Sequence, residues 1–236
     1  MGIDSVFSCV AGALGMGSVT ARFYPYSELK HTWRVRGGAV EFRVSDYLDG
    51  SPPDVQESLA WFLLRKASRV RSDDRRAERY LGYARSKELW HGKRDLYLSR
   101  AKSLVLEPKG ESRDLGTVFD YVNSVYFAGR FEGPTLAWAE ESPAQRLGFY
   151  FEPLNLLAAN RVLDSERVPR YALEFVVYHE LLHCVMTPSP SSGRRIHHTR
   201  AFRDVEREFS HFDEAQGWMT RLAAGRPRCS KKGYMH

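Results

Sequence analysis

Residues 175–183 read FVVYHELLH, and fourteen residues later the chain continues HTRAF at 198–202. Two histidines four apart on a helix project from one face, so His179 and His183 can ligate one metal ion. Glu180 stands beside them, where a carboxylate can take a proton from an activated water. Random placement of 8 His and 17 Glu in 236 residues would produce this spacing in roughly 2% of chains. The rest of the segment is apolar (Ala172, Phe175, Val176, Leu182), which makes it a core helix rather than a solvated one. Pro169 opens that helix and Pro188 lies beyond its end, predicting a span of about 168–186.

A catalytic zinc takes three protein ligands and keeps one open position. A metzincin-type third histidine would require Gly at 186 and His at 189, but Met186 and Ser189 stand there. Two alternatives remain. Glu206 or Glu208 would serve in a thermolysin-like arrangement, and His198 is the stronger candidate, because Phe202, Val205 and Phe209 anchor the helix that follows it. His197 is read as solvated or as supporting the ligands. Cys184 lies about 100° around the helix from His183 and is read as a small packing residue. Tyr178 is read as packing too.

Upstream, Phe119, Val122 and Tyr126 share a helical face within 114–128, with Gly129 as the stop. TLAWAE (135–140) and RLGFYFE (146–152) read as strands joined by a turn at Ser142-Pro143, and LNLLAAN (154–160) as a third strand. Two helices are expected near 199–209 and 213–224.

These residues together resemble the SprT-like (Spartan-type) zinc metalloprotease family. HELLH followed by H-T-x-x-F matches that family's zinc motif, although Thr199 stands where the family often has Gly. VFDYVNSVYFAGRFEG resembles its opening helix, TLAWAEE and RLGFYFEP its antiparallel strands, and NLLAANRVL its third strand. The likeness covers about residues 114–210. It implies an α+β, zincin-like fold with the HExxH helix on a small antiparallel sheet, and a protein or peptide substrate, including protein bound or crosslinked to DNA. It also implies Zn²⁺ held by His179, His183 and His198, with Glu180 as general base. The cysteine ribbon of bacterial relatives is missing, so no second zinc is expected.

The first half is different in character. Residues 32–45, TWRVRGGAVEFRVS, read as a hairpin turning at Gly37-Gly38. Pro52-Pro53 before Asp54, with Glu57 three residues later, reads as the capped start of a helix. Polar, basic helical stretches are expected near 74–89 and 93–105. The net charge is +6, all of it from residues 1–110, and residues 65–102 hold 13 basic against 5 acidic side chains. Arginines interleaved with Trp61, Tyr80, Tyr83, Trp90 and Tyr97 make this stretch a candidate nucleic-acid surface, with Arg75, Arg76 and Arg79 as the contacts. A nucleic-acid-binding module with a structural metal, and a housekeeping peptidase with no DNA dependence, are the alternatives to a DNA-linked peptidase. Against the module, a structural site has no use for Glu180.

EPKGESRD (107–114) marks the boundary. The expected organisation is a basic N-terminal region at 1–110, a metalloprotease domain at 111–225 and a basic tail at 226–236. No apolar run reaches the roughly 20 residues of a membrane helix, and the first charge, Asp4, is wrong for a secretory signal. Three scattered cysteines exclude a disulfide framework and fit a reducing cytoplasm.

Overall fold

Apolar residues at Ile3, Val6, Phe7, Val10 and Ala11 recur with helical spacing and line the buried side of helix α1 (Ile3–Ala13). The next apolar positions alternate instead, so Val19 and Ala21 are buried in strand β1 (Val19–Tyr24) while Thr20 and Arg22 face outward. This computed structural model describes residues 2–68, 74–140, 146–186, 189–191, 194–196 and 198–224. It divides into two compact units, 1–101 and 102–236. The expected tail at 226–236 lies outside the described residues.

In the first unit, β2 (Thr32–Arg36) and β3 (Ala39–Ser45) form the expected hairpin. Gly37 and Gly38 turn it with φ of 55° and 81°, which glycine adopts without a side-chain clash. Strand β1 pairs parallel to β3, giving the order β1-β3-β2. Helix α2 (Pro53–Ser68) buries Val55, Leu59, Leu63 and Leu64. Asp54 is not its cap: the Val55 and Gln56 N–H groups already donate to the Pro52 carbonyl. Asp54 therefore lies inside the first turn, and its carboxylate pairs with Arg79 at 2.5 Å.

The two basic stretches do not form long helices. A 3-10 turn at Asp74–Arg76 precedes α3 (Glu78–Tyr83), α4 (Lys87–Gly92) and α5 (Arg94–Arg100). Ser86 interrupts them by accepting the Leu89 N–H and so starting α4 afresh. Tyr80 and Trp90 are only 5% and 3% exposed, and Trp90 packs on Tyr47 and Tyr97.

The second unit is also α+β. Strand β4 (Leu104–Val105) precedes helix α6 (Leu115–Phe127), which Asp114 caps by accepting the Gly116 and Thr117 N–H groups. The helix ends where Ala128 and Gly129 turn left-handed, at φ of 53° and 74°. Strands β5 (Thr135–Ala139), β6 (Gly148–Phe151) and β7 (Leu156–Asn160) follow. Here the expectation of a β5–β6 pair fails. The sheet order is β4-β5-β7-β6, with β7 parallel to β5 and antiparallel to β6. All five residues of β7 are buried, because it is covered on both faces and flanked on both edges.

The segment 107–114 sits inside this unit. The Asp164 carboxylate accepts the backbone N–H groups of Glu111, Ser112 and Arg113 at 2.7, 2.9 and 2.8 Å. A side chain at Gly110 would collide with that carboxylate. Helix α7 (Arg170–Val185) packs on α6, β6 and β7. A short hairpin, β8 (Ser189–Ser191) with β9 (Arg194–Ile196), leads to α8 (Arg200–Glu206) and α9 (Phe212–Ala224). The core joins α6, α7, β5 and β7 with Phe202 of α8 and Phe209, and Trp138, Leu115 and Phe202 are fully enclosed. Each such side chain stabilises by about 1.5–3 kcal/mol relative to exposure. Among the described residues no helix is long and apolar enough to cross a membrane.

Candidate metal centre

Helix α7 buries Ala172, Leu173, Phe175, Val176 and Val177 and so is fixed in rotation about its own axis. That fixes His179 and His183 on the partly open side, one turn apart. Thr199 ends the excursion after α7 by capping α8, its hydroxyl accepting the Phe202 N–H at 3.1 Å. The residue before that cap is His198, which is exposed.

The three rings converge. His183 Nε2 lies 3.1 Å from His179 Nε2, and His198 Nε2 lies 3.2 Å from His179 Nε2 and 3.1 Å from His183 Nε2. Tetrahedral Zn²⁺ with Zn–N near 2.0–2.1 Å separates its ligand nitrogens by about 3.3 Å, so the triangle has the size that zinc requires. Its chemistry fits as well. A neutral imidazole has one N–H and one lone pair, and three facing nitrogens cannot satisfy three mutual hydrogen bonds. A cation accepting three lone pairs resolves that conflict. Among the described residues, these histidines form the one group of three or more metal-ligating side chains.

Phe202, fully buried, lies against all three rings. It stacks on His183 with centroids 4.6 Å apart, and its centroid lies 5.4 Å from His179 and 5.0 Å from His198. Glu206, the other candidate ligand, lies outside the triangle with its Oε1 2.5 Å from His179 Nδ1. Glu208 is exposed and has no place in the cluster. His197 lies outside the described residues.

Glu180 lies against β6 and is partly buried. Burial holds its carboxyl above the ordinary glutamate range. The His179 ring, the Arg146 guanidinium and the Tyr150 backbone N–H, which donates to it, pull the other way. The approach of β6 depends on Gly148, where a Cβ would stand 2.6 Å from Val176 Cγ1 and 3.3 Å from Glu180 Cγ. The signal for Gly148 was present in the sequence, since a glycine inside an alternating strand marks close backbone approach.

The lesser residues are placed as packing. The Tyr178 hydroxyl donates to the Val205 carbonyl at 2.7 Å, joining α7 to α8. Cys184 donates to the Glu180 carbonyl, and burial pushes its thiol up to about 12, leaving it inert as a nucleophile.

The three arginines of the candidate nucleic-acid surface lie in the first unit. Arg79 is ion-paired with Asp54, Arg76 sits 4.1 Å over the Trp61 ring, and Arg75 is exposed. Buried Tyr80 and Trp90 offer no face for base stacking. Comparison of the chain with protein-family models, with curated protein sequences and with solved structures finds no match in any of the three.

Proposed function

We propose that the protein is a zinc-dependent endopeptidase of zincin type, acting on extended polypeptide. The observation that carries this reading is the triangle of three Nε2 atoms on an HExxH helix and the following α8, with Glu180 next to the first ligand. His179, His183 and His198 would hold the ion as neutral imidazoles. Zinc there would supply a Lewis acid for the peptide carbonyl and would lower the pKa of a nearby water toward about 7. Glu180 accepts the proton of the attacking water and returns it to the departing amide nitrogen. Its shielded carboxylate suits a group that must both take and give a proton. Strand β6 is an edge of its sheet and lies against α7, so its outer side is the one on which a substrate chain can align.

A structural zinc is closed by four protein ligands. Here three donors converge among the described residues, and His198 is exposed, which supports an open, reactive site. The engagement of Arg76 and Arg79 within their own unit favours an activity with no DNA requirement.

The test is zinc analysis joined to cleavage of an unfolded protein such as casein, with and without DNA. Wild-type protein should carry about one zinc per chain and cleave. Glu180→Gln should keep the zinc and lose about 10²–10⁴-fold in rate. Cleavage by that variant at the wild-type rate would sink the mechanism.

A further inference from the structure

Helix α8 carries more than the residue that precedes it. His198 stands at its start and Glu206 at its end, and Glu206 is 8% exposed. A carboxylate this enclosed needs a partner for its charge, and its Oε1 meets His179 Nδ1 at 2.5 Å. A carboxylate oxygen only accepts, so Nδ1 carries the proton and donates. The His179 lone pair is thereby left on Nε2, the atom facing the other two ligands. An unrestrained neutral imidazole favours the opposite tautomer, which would put a hydrogen into the centre of the triangle.

Glu206 belongs to a set of contacts that key α8 onto α7. Phe202 lies one turn earlier, under the three rings. Tyr178 donates to the Val205 carbonyl, and Arg203 donates to the carbonyl of His198 itself at 3.1 Å. The same short helix thus sets the backbone of the third ligand and the tautomer of the first. We propose that Glu206 is a positioning residue for the metal centre: through His179 Nδ1 it fixes the ligand tautomer and holds α8 in the register that presents His198.

This inference rests on the zinc reading, and the experiment separates the two. Glu206→Gln and Glu206→Ala are made in the full chain and examined in three ways. The His179 tautomer is read in metal-free protein by long-range ¹H–¹⁵N correlation, zinc affinity by competition with a chromophoric chelator, and folding by thermal unfolding. Wild type should show His179 protonated on Nδ1. Glu206→Ala should move the proton to Nε2 and weaken zinc by about 10–100-fold. Glu206→Gln keeps an oxygen of the same reach without the charge, so it should fold like wild type and lose about 10-fold. Nε2 protonation in wild type, or unaltered zinc affinity in Glu206→Gln, overturns the proposal. A wild-type protein that binds no zinc would instead defeat the metal reading, and the tautomer measurement would still decide the role of Glu206.

Discussion

His31 shows how one partly buried ring can set a pH limit on the first unit. Its Nδ1 accepts the Ser45 N–H at 3.2 Å, so its Nε2 carries the proton that Tyr80 Oη accepts at 2.9 Å. Protonating Nδ1 would break the first bond. Burial, with the nearby Lys66 charge, lowers its pKa from 6.5 to about 4. The unfolded chain therefore binds the proton first as pH falls. Stability is full above about 6.5 and drops through the window down to about 4, by about 3 kcal/mol in all. Urea unfolding at stepped pH should show that loss in wild type, and His31→Asn should lack this component. Identical pH slopes in the two proteins would refute it. At this scale the sequence was most legible for His179 and His183, because helical spacing alone brings them onto one face, and for Glu180 through its place beside His179 in the motif. His198 needed one further signal, the cap and apolar anchors after it. Glu206 was visible only as a rival ligand, since the direction of a side chain across a helix pair does not follow from spacing. The Asp54–Arg79 pair was illegible because its partners are 25 residues apart and belong to different helices.

Between elements, the decisive fit is that of β6 against α7. Gly148→Ala places a methyl group within 2.6 Å of Val176 Cγ1 and 3.2 Å of the Ala158 carbonyl. Overpacking of this kind costs about 1–3 kcal/mol, and here it also displaces the strand whose Tyr150 N–H reaches Glu180. Thermal unfolding should show the loss, with cleavage activity falling alongside it. Adding Val176→Ala should recover part of both, because the colliding methyl is then absent. No recovery in the double variant would mean that the clash lies elsewhere. Helices α6 and α7 were legible as periodic apolar runs with clear stops, and β7 as an unbroken apolar run. Helix α1 has the same kind of pattern at Ile3, Val6, Phe7 and Val10. The sheet order was out of reach, because the central parallel pair skips the strand that lies between its members in sequence. Apolar alternation says which face a strand buries, not which neighbour it takes.

For the molecule as a whole, every residue of the metal centre and of the core beneath it falls within 115–222. Residues 102–236 expressed alone should therefore fold cooperatively and bind about one zinc per chain. Calorimetry and metal analysis check this, and a fragment that unfolds, or that lacks zinc which the full chain binds, would overturn it. The same sheet order has a consequence for synthesis. Strand β6 takes β7 as its partner across the short connection 152–155, a local closure that forms early. Strand β5 leaves the ribosome before either, yet its central neighbour is β7, and β4 meanwhile pairs with only Ala139 and Trp138. Until Asn160 has emerged, Leu136, Ala137 and Trp138 have no β7 beside them. The stretch from Thr135 to Asn160 is thus the part of the nascent chain most in need of shielding from other chains.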